Sequence, residues 1–197
     1  MNPVSKDRTQ KKIRIGWIGA GFIGQVAHLA SYIDIPNVEL VGLAELRPKL
    51  GELVARRLNI PQLYGNHEDL LSDQAGRLDA VVAIVRREHT ASVAMDVLRS
   101  GIPLFTEKPM APTVEQGKSL VSISEESKCL HVAGFMRRHD EGVQLAKAAF
   151  ERIVVSGELG DPVFFRCYCF GGGDYCNISG QVITDEPQPR DRILPIA

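Results

Sequence analysis

Two hydrophobic periods alternate along the chain. IRIGWI, residues 13–18, is a short apolar run that stops at the glycine-rich GAGFIG. Beyond it Ile23, Val26, Ala27 and Ala30 recur at the spacing of one helix face, which predicts a helix from about Phe22 to Ile33. VELVGLAE, residues 38–45, predicts a second strand, and KLGELVARRL, directly after Pro48, a second helix. Strand, helix and strand within about thirty residues is the size of a βαβ crossover. The alternation then continues. NIPQLYG approaches a short third strand, HEDLLSD is a brief acidic helix, and DAVVAIV is the unbroken apolar run of a strand covered on both faces. A helix from about His89 to Arg99, a turn at Ser100 and Gly101, the strand IPLFT, a helix from Thr113 to about Ser127 and the run CLHVAGF complete the series. Thr113, with Gln116 three residues on, fits a capping box.

Residues 12–134 therefore predict one open α/β domain, a mostly parallel sheet with helices on both faces. The pattern changes after it. Asp140 to Ile153 is helical in period, GELGDP is a turn, and PVFFRCYCF alternates as a strand, with Val163, Phe165, Cys167 and Cys169 on one side and Phe164, Arg166, Tyr168 and Phe170 on the other. The tail from GGGDYC onward offers glycines, prolines and turns. One helix and one strand do not bury a core, so residues 135–197 read as the start of an incomplete α+β domain, and residues 1–11 as a flexible basic tail.

Composition narrows the class. At 197 residues and 44% hydrophobic the chain can bury a real core. No apolar run approaches membrane-spanning length and no secretory signal opens the chain, so the expectation is a cytoplasmic protein without membrane association. A net charge of -1 offers no field for nucleic acid. The four cysteines, Cys129, Cys167, Cys169 and Cys176, lack a C-x2-C knuckle and read as packing thiols, with no metal site.

Two motifs carry chemistry. GAGFIG fits G-x-G-x-x-G with Gly19, Gly21 and Gly24 in the roles of tight turn, close backbone approach and helix–strand contact. It follows a strand and opens a helix, and Glu45 ends the next strand about 20 residues beyond the last glycine. Such a loop, Gly19, Ala20, Gly21, Phe22, Ile23 and Gly24, can hold a pyrophosphate, while the carboxylate accepts from the adenosine ribose hydroxyls. Glu45 favours NAD over NADP; Arg47, two residues on, keeps NADP open. The second motif is Glu107, Lys108 and Pro109, written at the end of IPLFT, where open α/β sheets bind their ligands. Pro109 restricts the residue before it and so aims the lysine. Lys108 there can stabilise negative charge on a substrate oxygen as hydride leaves, with Glu107 neutralising or orienting it.

With IGWIGAGFIG, AELRPKLGELVARRLNIPQLYGNHEDLL, VVAIVRREHTASVAMDVLRSGIPLFTEKPMA and HVAGFMRRHDEG in place, the chain resembles the Gfo/Idh/MocA oxidoreductases over about residues 12–170. The resemblance implies a Rossmann-type domain, a sugar, polyol or inositol-like substrate, and homo-oligomers among full-length relatives. It implies that Lys108 touches substrate and nicotinamide, with Glu107 its partner and a cis bond before Pro109. His89 matches a histidine that opens the helix after the fourth strand, and Arg86 and Arg87 depart from the family's usual pair in a loop expected to contact cofactor. The family's D-x3-H pair, whose histidine is the proposed general base, has no counterpart, since no histidine follows His139. The expectation is thus a dehydrogenase lineage with little or no turnover in this apparently shortened chain. The alternative is a non-catalytic, NAD-sensing or protein-interaction module. Among other histidines that a short enzyme could use as base, His28 reads as a packing or surface residue, His67 lies away from the rim, and His139 follows the junction arginines.

Overall fold

The structure is a computed structural model and describes residues 11–168 and 180–188. The expected basic tail, apart from its last residue, lies outside these residues, as do Cys169, Phe170 and Cys176. The described residues group into two compact units, 11–133 with 180–188, and 134–168.

Strands β1 (Ile13–Ile18), β2 (Val38–Ala44), β3 (Leu63–Tyr64), β4 (Ala80–Ala83), β5 (Leu104–Glu107) and β6 (His131–Gly134) form one sheet in the order β3-β2-β1-β4-β5-β6. The pairs β1–β2, β1–β4, β2–β3 and β4–β5 are all parallel. Crossing between parallel neighbours requires the helices: α1, which is π-helical over Gly24–Leu29 and α-helical over Ala30–Tyr32, then α2 (Pro48–Leu58), α3 (His67–Asp73), α4 (Arg87–Arg99) and α5 (Val114–Ser127). This is a Rossmann-type doubly wound sheet. The order reverses between β1 and β4, which opens a crevice at the carboxyl ends of the strands.

Pleating sorts the core into two layers. Ile15, Trp17, Leu43 and Val82 point to the face where Leu29, Leu50 and Val54 pack, while Ile18, Val81, Ala83 and Leu104 meet Val97, Leu98 and Leu120 on the other. The unbroken run in β4 is explained by this double cover. Helix starts follow their sequence signals unevenly. The Thr113 side chain accepts from the Gln116 amide at 3.3 Å, but the Gln116 side-chain oxygen has no partner, so only half of the capping box forms. Arg47 precedes α2 without a side-chain cap of its own.

The segment 180–188, expected as featureless tail, packs against this sheet domain instead. Val182 joins the Trp17 face of the core, and its backbone N–H and C=O pair with the side-chain amide of the buried Gln25, at 2.8 and 3.1 Å.

In the second unit, α6 (Glu141–Ser156) starts at Asp140, whose side chain accepts from the Val143 amide at 3.1 Å, and stops at Gly157 with φ 68. Phe150 and Phe165 meet edge to face, with centroids 6.2 Å apart. The strand expected over PVFFRCYCF is not formed across its described residues, 162–168. Those residues find no ladder partner there, and alternation without a neighbouring strand leaves the backbone unpaired.

Candidate active site

The three glycines of the loop have three separate physical reasons. Gly19 has φ +90, and a Cβ there would lie 2.4 Å from the Ile84 carbonyl oxygen, so no other residue fits this turn. Its N–H donates to Ala44 O at 2.8 Å and its carbonyl accepts from the Trp17 indole at 2.9 Å, tying the loop to the ends of β2 and β1. A Cβ on Gly24 would lie 3.0 Å from Gly19 O and 3.6 Å from the Ile84 Cβ, which sets how closely α1 approaches the sheet. Gly21 differs from both. A Cβ there meets nothing within 4 Å, so packing does not demand a glycine at this position. Phe22 is half-buried and Ile23 exposed, at the start of α1.

Glu45 stands just behind this loop, its side chain 5% exposed at the end of β2. Its Oε2 accepts from the Ala20 amide at 2.7 Å and from Arg47 Nη2 at 3.2 Å, and its Oε1 accepts from the Arg47 amide at 3.1 Å and Arg47 Nε at 2.8 Å. The Arg47 guanidinium thus lies as a fork on the carboxylate. The central amide of the glycine loop is fixed by the acidic residue that sequence spacing singled out. Gln25 completes the seat from the other side, donating to Ala20 O at 2.8 Å.

Glu107, Lys108 and Pro109 stand on the same rim, at the carboxyl end of β5, and the Lys108–Pro109 peptide is cis. Of the two expected roles, neutralising or orienting the lysine, the contact seen is an orienting one: Glu107 Oε2 accepts from the Lys108 backbone amide at 2.9 Å. Its Oε1 lies 2.7 Å from His28 Nε2, and the His28 ring tilts onto Phe105 with centroids 5.5 Å apart. His28 is therefore no mere packing or surface residue: it links α1 to the turn that carries Lys108. The lysine itself is exposed. Replacing His28 by leucine is expected to cost about 1–3 kcal/mol in urea unfolding. It is also expected to speed hydrogen exchange at the Lys108 amide, because Glu107 loses the ring that holds it.

The remaining expected residues are less tightly placed. Arg86 precedes α4, half exposed and paired with Glu88. His89 is half-buried in the first turn of α4, its amide donating to Arg86 O at 2.9 Å. Both follow β4. His67, the first residue of α3, pairs with Asp96 in the last turn of α4 at 3.1 Å. Burial pushes the His131 ring below its ordinary pKa, and its Nε2 lies 3.0 Å from Thr106 Oγ1.

Sequence reasoning passed over Gln25 and Glu186, and read His28 only as a packing or surface residue. Glu186 accepts from the Lys49 and Leu50 amides at the start of α2, at 2.9 and 2.8 Å. The only signal for His28 was its place one turn beyond the glycines. Nothing local marks the other two. Among the described residues no group of three or more His, Cys, Asp or Glu side chains could hold a metal ion, and no helix is long and apolar enough to cross a membrane. Cys129 is buried and Cys167 exposed, both as free thiols.

This arrangement fits a nicotinamide dinucleotide. The backbone at Gly21 stands open, and Glu45 and Lys108 stand on the same rim. Known proteins share the fold and the sequence pattern. The chain is 30% identical over 162 residues to an inositol 2-dehydrogenase of Corynebacterium glutamicum, covering 79% of this chain and 45% of the relative. It is 24% identical over 180 residues to the scyllo-inositol 2-dehydrogenase (NAD(+)) of Bacillus subtilis, covering 89% and 51%. The chain spans about half the length of the curated relatives it matches. Its fold superimposes on the WlbA dehydrogenase of Bordetella pertussis, solved with NADH and UDP-GlcNAcA, with a TM-score of 0.67 at 26% identity over 74% of this chain and 41% of that one. The profile of the oxidoreductase family with an NAD-binding Rossmann fold matches residues 13–135, so the chain belongs to the Gfo/Idh/MocA family.

Proposed function

We propose that the chain binds NAD in preference to NADP and carries the cofactor half of a hydride-transfer site for a secondary alcohol of the sugar, polyol or inositol type. One observation supports this above the others: the glycine loop is open at Gly21 and backed by the Glu45 carboxylate. Amides at the start of α1 donate to the pyrophosphate, and Glu45 accepts from the adenosine ribose diol. A carboxylate there repels a 2'-phosphate. Its acceptor positions are already filled, so the diol takes the places of the two guanidinium bonds from Arg47.

Bound dinucleotide supplies the hydride acceptor. Lys108 donates to the substrate hydroxyl and stabilises the charge that grows on its oxygen. Glu107, held by His28, sets the backbone from which that side chain reaches. Arg86 and His89, after β4, flank the cofactor on the side away from β2. The named activities of the inositol dehydrogenases and the ligands of the Bordetella enzyme support the polyol or sugar class of substrate. No histidine follows His139 in these 197 residues, and we propose that they bind dinucleotide with little or no turnover.

Titration with NADH and with NADPH, followed through the lone Trp17, tests the reading, because its indole is bonded to the glycine loop. NADH is expected to quench at lower concentration than NADPH, while myo-inositol with NAD yields little NADH. Failure of both dinucleotides to bind would overturn the cofactor assignment. Brisk oxidation of inositol by the chain would overturn the low turnover.

A further inference from the structure

Four donors crowd the start of α2 beside Glu45, and each is held by a carboxylate. The Arg47 guanidinium lies on Glu45 with only 15% of its side chain exposed. The amides of Lys49 and Leu50, unpaired by helix geometry, donate to the two oxygens of Glu186. The Lys49 ammonium lies 3.4 Å from Asp185. Guanidinium, ammonium and helix-start amides are the donors that a phosphate seeks, and the place next to the acidic end of β2 is where a 2'-phosphate on an adenosine ribose would sit.

Glu186 and Asp185 arrive on the segment 180–188, which belongs to the same compact unit as the sheet. The segment is anchored over its length. Gln25 pairs with both backbone groups of Val182, Arg57 donates to Gly180 O, and the Thr184 hydroxyl donates to Glu186 Oε2 at 3.1 Å. Burial by itself would raise the Glu186 carboxyl, yet the Lys49 and Leu50 amides, Thr184 and the Lys49 charge hold it below the usual range, so it is ionised at neutral pH.

We infer that the segment 180–188 is a specificity strap, with Glu186 occupying as an internal anion the seat of a 2'-phosphate at the start of α2 and so excluding NADP. The inference rests on the dinucleotide reading given above, and extends it: Glu45 accounts for welcoming a ribose diol, whereas Glu186 accounts for refusing a phosphate. It assigns the choice of cofactor in part to a residue more than a hundred positions away from the glycine loop.

The test compares dissociation constants for NADH and NADPH, read from Trp17, in the unaltered chain, Glu186→Ala and Glu186→Gln, with a thermal melt of each. Glu186→Ala is expected to tighten NADPH about tenfold while NADH changes less than about threefold, since a vacated pair of amides gains charge-assisted bonds. Glu186→Gln keeps an acceptor for one amide and the Thr184 contact but drops the charge, so it is expected to give a smaller gain and to stay folded if the alanine variant does not. NADH binding that persists with an unchanged NADPH to NADH ratio in both variants would overturn the strap and leave the dinucleotide reading standing. Loss of binding to both cofactors already in the unaltered chain would overturn the two together.

Discussion

Gly19→Val is expected to abolish NADH binding, lowering affinity by at least about two orders of magnitude, or about 3 kcal/mol. The valine would have to hold φ +90 with its Cβ 2.4 Å from a backbone oxygen of Ile84, and backbone cannot step aside as a flexible side chain can. The turn must open, which breaks the Gly19 bond to Ala44 O and the Trp17 bond to Gly19 O. The indole emission and the melting temperature should both shift before any ligand is added. Gly21→Ala supplies the contrast. Its added methyl meets nothing in the protein, so stability should change by less than about 0.5 kcal/mol while NADH binding is lost. Equal effects of the two substitutions on stability would show that the distinction between turn and approach is mistaken.

Glu45→Ala is expected to destabilise the fold by about 3 kcal/mol, the lower end of what removing one partner of a buried ion pair costs. The Arg47 guanidinium can lift towards water, which limits the loss, but the Ala20 amide cannot, and it is left unsatisfied inside the protein. NADH affinity should fall with it, and NADPH should be less affected because Arg47 is released. Urea unfolding of Glu45→Ala, Arg47→Ala and the double variant gives the coupling directly. Additive effects would mean that the fork seen between Arg47 and Glu45 contributes nothing.

The sheet domain was legible because its signals are local. β4 is a run of apolar residues because both faces are covered, α1 begins where three glycines end, and Glu45 falls where the spacing puts it. The same reasoning went astray at PVFFRCYCF, where alternation describes what a strand would bury but not whether a second strand lies beside it. It also passed over TDEP as mere tail. Glu186 acts as the missing cap of a helix that begins at Pro48, and Gln25 reads as an ordinary polar residue on a helix until its amide meets Val182. Neither partnership leaves a trace within reach of a local pattern. His28 is intermediate, since its place one turn beyond the glycines is local but only the sheet order brings Glu107 to it.

The strap also fixes an order of assembly. Its contacts join residues separated by as many as 157 positions, whereas the βαβ units close over a few tens. Loop closure costs more as the loop lengthens, and non-local pairing comes late in folding. A chain emerging from the ribosome can therefore complete the glycine loop and the Glu45 seat while the strap is still unmade. The nascent domain would turn away the 2'-phosphate through Glu45 alone at first, and would acquire the rest of its preference only once the strap closes.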